Sequence, residues 1–162
     1  MSAALEAVEK AGLAHEVVRH GPAGSVAEAA LKQGVEVHDV VKTLVVRRAD
    51  GDFLFVLVPG GRSISWPKLR ALLGVKRLSL PDAETAKAAT GYERGTITPF
   101  GATTAWPVIA DETVRGRTIN LGAGERGVGL RVAADDAVTL LGGDFADISE
   151  PEAEIAEPEK DQ

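Results

Sequence analysis

Cysteine is absent from the chain, and that one absence excludes disulfides, thiolate metal ligands and a cysteine nucleophile. Any thiol in the chemistry must then belong to a ligand. Histidine is nearly as scarce: His15, His20 and His38 lack the spacing and the acidic escort of a metal site, so neither a metal nor another cofactor is expected. Aromatic residues make up 4% of the chain, too few for a stacking platform of several rings. Trp66 and Trp106, each followed by proline, are read as packing residues. No apolar run approaches the ~20 residues that a bilayer demands, and the first residues, MSAALEAVEKAG, carry charge instead of a long apolar core. A soluble cytoplasmic protein without a membrane partner is expected.

A basic surplus is missing too. The net charge is -6, of which residues 149–162 supply -5, through six acids set against Lys160, and the rest of the chain only -1. A broadly basic surface for DNA or RNA is therefore excluded, while a small local patch stays open. The 162 residues suit one domain with a core of its own. The expected division is a folded unit over 1–148 and an acidic, disordered tail over 149–162, too polar to offset the cost of ordering.

Helical spacing and caps predict helices over 3–10, from Ser25 to near Gly34, over 66–73 with Gly74 beyond, from Pro81 and Asp82 through 89, and over 135–141. Short strands are predicted over 15–19, 75–80, 106–110, 118–121, 128–132 and 145–148. The strongest pair is 40–47 and 53–58, joined through an Asp-Gly turn. Strands and short helices interleave without a regular βαβ beat, which predicts an α+β fold: a mixed sheet, curled towards a barrel, with short helices packed around it.

Two stretches carry chemistry. The first is GYERGTITPFG over 91–101, with glycines at Gly91, Gly95 and Gly101 and a fixed bend at Pro99. Backbone amides are the expected working surface of such a loop. The second is a cation inside an apolar strand, Lys42, with Val40, Leu44 and Val46 on its own face and Val41, Thr43 and Val45 on the other. A lysine beside an amide-lined loop suits an anion or a polarised carbonyl. Plainer readings stand beside these: Lys42 as the guard of a sheet edge, Gly91 as a helix cap, Asp111 as a strand-end turn residue. Ser25 is accounted for by its capping box, and no G-x-S-x-G elbow is present. The glycines over 122–129 lack the lysine and hydroxyl of a phosphate loop and are read as a turn lining the pocket.

The strings VVKTLVV, TGYERGTITPFG, VIAD, AGERG and FADI, in that order, resemble the YbaK/prolyl-tRNA synthetase-associated domain family over residues 25–148. The resemblance implies a YbaK-like fold and hydrolysis of the ester joining a wrong amino acid to tRNA. Cys-tRNA(Pro), or another small residue on tRNA(Pro), is the implied substrate. It further implies that Lys42 is the signature residue beside the tRNA 3' end, and that Gly95, Thr96, Ile97, Thr98 and Pro99 position the aminoacyl carbonyl. Thr43, Gly91, Phe100, Gly101, Asp111, Gly124 and Gly127 complete the implied substrate site. Gly122 and Glu125 stand where some members carry serine and a basic residue. The attacking group is a water or, for cysteine, the substrate's own thiol. A transient association with prolyl-tRNA synthetase is implied as well. The alternative is a non-catalytic module that holds a tRNA end or a partner in the same cleft.

Overall fold

A computed structural model describes residues 2–21 and 25–152. The hairpin comes first in importance. Strands β2, Val41–Ala49, and β3, Asp52–Pro59, pair antiparallel around Asp50 and Gly51, with a bulge between Arg47 and Ala49. β5, Val108–Asp111, adds to β3 in parallel, and β8, Asp144–Ala146, adds to β5 in parallel, giving the order β2-β3-β5-β8. A second sheet has the order β1-β7-β6, from β1 (Glu16–Arg19), β6 (Thr118–Gly122) and β7 (Val128–Ala133). β4, Arg62–Ile64, pairs only with β9, Ser149–Pro151. The sheet is thus mixed as expected, but the described strands form three sheets that do not close into a barrel. One parallel bridge, Val40 to Asn120, links the first two sheets.

Both faces of the hairpin are apolar, so both are covered. Val41, Val45, Phe55 and Leu57 pack with Ile119, Leu121 and Leu130 of the second sheet. Leu44, Val46, Leu54, Val56 and Val58 pack on the other side with Ile64, Leu69 and Ile148. Alternation along β2 puts Lys42 on this second face.

The helices form where their caps predict. α1 (Ala3–Ala11) starts on Ser2, α2 (Val26–Gln33) on Ser25, α3 (Trp66–Leu73) on Ser65 and α4 (Ala83–Thr90) on Asp82; in each the cap side chain accepts an amide of the first turn. Glycines 12, 34, 74 and 91 close the same four helices in the left-handed region. α5 (Ala134–Leu140) follows β7 directly.

Three expectations change. Residues 75–80 form no strand: Val75 donates to Arg70 O to finish α3, Pro81 has no amide to give, and only Ser79 pairs, with Arg47. The strand expected from Trp106 starts at Val108, because Pro107 lacks a donor and the Trp106 indole is bonded to Ala89 O at 2.8 Å. The expected boundary at Ile148 also moves. Ser149 is fully buried and β9 is paired, so disorder does not begin at Ser149. The remainder of the expected tail, 153–162, lies outside the described residues.

Asp111 holds that end of the chain. It is fully buried, and its Oδ2 accepts from the amide and the hydroxyl of Thr113. Burial would raise its pKa, but the nearby donors of Ser149, Thr113 and the Ile148 backbone outweigh burial and hold the carboxyl below its usual range. The folded pKa is therefore the lower one. Its stabilisation is present above the unfolded value of ~3.9 and is lost as pH falls through the folded value. Asp111→Asn is expected to destabilise the fold by about 1–3 kcal/mol at neutral pH and by less in acid, as read from denaturant titrations at the two conditions.

Candidate functional site

The glycine loop begins at the end of α4, where Gly91 donates to Lys87 O at 2.7 Å. Tyr92 then turns inward, is buried, and donates its hydroxyl to Phe100 O at 2.6 Å, closing the loop across its own span. Burial pushes the Tyr92 phenol up to about 12, so it stays a donor at any ordinary pH. Gly95 is exposed and has φ 85°, and beyond it Thr96, Ile97, Thr98, Pro99 and Phe100 are all buried. The expected exposure of this loop is therefore confined to its two ends, residues 91 and 93–95 on one side and Gly101 on the other.

Burial without pairing marks the far half. Among the described residues no acceptor takes the amides of Ile97 or Thr98, and the buried Thr98 hydroxyl has no partner. Buried donors are normally satisfied, and leaving one unpaired costs ~1–3 kcal/mol. Clustered donors of this kind suit a carbonyl or an oxyanion.

The 122–127 turn holds this loop from behind. Gly124 donates to Thr96 O at 2.9 Å. A Cβ at Gly124 would lie 2.5 Å from the Tyr92 ring, and one at Gly122 would lie 2.9 Å from Ile97 O. Both contacts need glycine. Gly127 accepts from His20 N and so ties the same turn to the end of β1, while Gly101 lies against the Ala3 carbonyl of α1.

Lys42 stands on the second face of the hairpin, with Leu44 and Val46, whereas Tyr92, Ile97 and Phe100 of the loop pack into the core of the first. The parallel bridge joins Val40 to Asn120, and two residues further along each chain stand Lys42 and Gly122. The Lys42 side chain is 16% exposed, with its Nζ 4.0 Å from Glu152 Oε1. Thr43 projects to the opposite face, and its buried hydroxyl has no partner. The loop and the lysine strand are thus linked through β6. Among the described residues Asp111 makes no contact that brings it to this edge: its Oδ2 accepts from Thr113, and its buried Oδ1 has no hydrogen-bond partner.

Two cavities flank these elements. Pro99, Phe100 and Gly101 wall an apolar one of about 300 Å³ with Ala7, Trp106 and Leu141, and Lys42 does not line it. The other is an open cleft of about 680 Å³ lined by Arg47, Arg48, Arg70, Lys76 and Arg77 with Asp50. Arg47 Nε donates to Ser79 and Arg48 Nη2 to Asp52, whereas Arg70, Lys76 and Arg77 have no ion pair among the described residues. Sequence reading passed over this cleft, although the Arg47-Arg48 and Lys76-Arg77 doublets signalled it. It passed over Tyr92 as the clasp of the loop as well. The histidine ring nitrogens that are bonded meet backbone carbonyls, and among the described residues no group of His, Asp and Glu is placed to hold a metal.

The fold is a mixed α+β one, with a glycine loop linked through β6 to the strand that carries Lys42. The chain belongs to the aminoacyl-tRNA editing domain family, whose profile matches residues 20–140. It is 31% identical over 134 residues to EbsC of Enterococcus faecalis, a protein named for Cys-tRNA(Pro) and Cys-tRNA(Cys) deacylation, with 82% of this chain and 80% of that protein covered. It is 32% identical over 100 residues to the proline–tRNA ligase of Thermosipho melanesiensis, which covers 62% of this chain but only 17% of the ligase. Among solved structures, hypothetical protein APE2540 superposes with a TM-score of 0.84 at 27% identity, over 92% of this chain and 100% of that one. A structure described as a trans-editing enzyme for prolyl tRNA synthetase gives 0.82 at 28% identity, over 91% of this chain and 95% of that one.

Two glycine substitutions separate support from function. Gly124→Ala meets the Tyr92 ring and should lower stability by roughly 2 kcal/mol or more. Gly95→Ala meets only the tip of Arg126, at 3.8 Å, so it should cost just the ~1–2 kcal/mol of a left-handed non-glycine residue. Thermal melts should rank the two variants in that order, with Gly95→Ala folded.

Proposed function

We propose that this chain hydrolyses the ester of mischarged aminoacyl-tRNA, with cysteine or another small residue on tRNA(Pro) as the substrate. The observation that carries the reading is the buried run from Thr96 to Phe100, whose Ile97 and Thr98 amides no described residue accepts. These donors are preorganised in a water-poor setting, where a single oxyanion donor is worth ~2.7–4 kcal/mol. Lys42 holds the terminal phosphate or ribose of the 3' end. Gly95 leaves the near end of the loop open for the substrate to enter, and Thr43 completes the strand side. A water attacks the carbonyl carbon, the tetrahedral oxyanion rests on the loop amides, and collapse releases the free amino acid and the ribose oxygen, which takes the water's proton; attack by the thiol of a cysteinyl substrate instead passes the thiol proton to the ribose oxygen and releases a cyclic β-thiolactone, which water then opens to cysteine. EbsC, named for cysteinyl esters, supports that substrate class.

The arginine cleft supports an RNA partner. Arg47 stands five residues along β2 from Lys42, about 17 Å at strand rise, so a 3' end held at Lys42 leaves the paired stem to meet the cleft. Its cations face phosphates and carry no base code. The work belongs in the cytoplasm, in transient association with the prolyl-tRNA synthetase that makes the error.

The test is single-turnover deacylation of Cys-, Ala-, Ser- and Pro-tRNA(Pro) by the unaltered chain, Lys42→Ala and Arg77→Ala. One mischarged species should be lost rapidly and Pro-tRNA(Pro) spared. Lys42→Ala, still folded, should slow the reaction by roughly 100-fold or more. Arg77→Ala should weaken binding and flatten its salt dependence by about one unit. Normal turnover by Lys42→Ala contradicts the assignment, and binding of tRNA without turnover of any ester moves the reading to a non-catalytic module.

A further inference from the structure

The C-terminal strand delivers a carboxylate to the lysine of the proposed site, and it does so on a fixed support. β9 pairs with β4 through Ser149–Ile64, Glu150–Ser63 and Pro151–Arg62. Arg62 Nε donates to the Ser149 hydroxyl at 2.6 Å, while Arg62 Nη2 and Lys68 Nζ both donate to the Ser149 carbonyl at 3.1 Å. The last anchor is the Glu152 amide, bonded to Gly61 O at 3.0 Å. The Glu152 side chain extends from that anchor, and its Oε1 lies 4.0 Å from Lys42 Nζ.

We propose that Glu152 stands in for the substrate's phosphate at Lys42, neutralising the ammonium in the unliganded protein and giving way when an RNA 3' end arrives. The proposal rests on the function proposed above. Lys42 lies on an apolar face with a side chain only 16% exposed, where a charge without an opposite partner is costly. A carboxylate on hand offsets that cost. The same pair is loose and the Glu152 side chain is 33% exposed, so a phosphate can displace it cheaply. Exchange needs a rotation about the Glu152 side chain, while the strand stays in place. The self-occupied fraction lowers the apparent affinity for RNA.

A neutral residue at this position should therefore tighten RNA binding. Glu152→Gln is expected to lower the Kd for uncharged tRNA(Pro) roughly 2- to 5-fold, the range of a weak ion pair, without changing the saturating single-turnover rate. The salt dependence of Kd should steepen, because loss of the Glu152 carboxylate leaves more positive charge at Lys42 for RNA to meet. Glu150→Gln removes from the same strand a charge that has no ion pair with Lys42 among the described residues, and should do neither. In a Lys42→Ala background the Glu152 effect should vanish. A Kd that is unchanged or weaker in Glu152→Gln, while the unaltered chain still deacylates, overturns the proposal and leaves the functional reading standing. A fall in the saturating rate overturns it too, since Glu152 would then orient Lys42 instead of competing for it. If the unaltered chain neither binds nor deacylates any charged tRNA, both readings fall together.

Discussion

Everything at the site depends on how closely the 122–127 turn approaches the loop over 95–101. The Gly124 amide meets Thr96 O at 2.9 Å, the Tyr92 ring lies over the Gly124 α-carbon, and Ile97 O lies where a side chain at Gly122 would be. A methyl group at either glycine would push the two segments apart. Through this contact the loop is fixed to β6, and through the Val40–Asn120 bridge β6 is fixed to the strand that carries Lys42. Lysine and loop come from distant parts of the chain, yet they share one rigid frame. Preorganised donors act only when such a frame holds them.

Lys42 raises a second constraint, that of a charge in an apolar strand. Its neighbours Leu44 and Val46 are buried on the same face, and β2 lies at the edge of its sheet. The fold answers with the C-terminal strand. Arg62 and Lys68 gather at Ser149, and from there the backbone runs to Glu152 beside Lys42. The same strand closes the core around Ile148, so electrostatics and packing at this end of the chain share one support.

Much of the fold was legible because its signals are local. Ser25 and Asp82 start helices, Gly34, Gly74 and Gly91 stop them, and Asp50-Gly51 turns the hairpin; each acts within a few residues. Of the site, the Gly95–Gly101 loop and Lys42 could be picked out from composition, glycine and lysine being out of place in their surroundings. What escaped was set by partners far along the chain. Residues 75–80 have the look of a strand, but the end of α3 takes the amide of Val75. Ser149 to Glu152 looked like a polar tail, yet Arg62 and Lys68, 87 and 81 positions away, claim Ser149. The five cations of the cleft are unremarkable as doublets and become a patch only when β2 and the segment after α3 meet.

The most direct test of the account is the amide spectrum of the isotope-labelled protein during titration with an amide-linked, non-hydrolysable aminoacyl-adenosine. The loop amides are assigned here as donors to the aminoacyl carbonyl, so the signals of Ile97 and Thr98 should move furthest downfield, and Lys42→Ala should weaken the response. Shifts confined to Ala7, Phe100 and Leu141, around the apolar cavity, with Ile97 and Thr98 unmoved, would contradict the account.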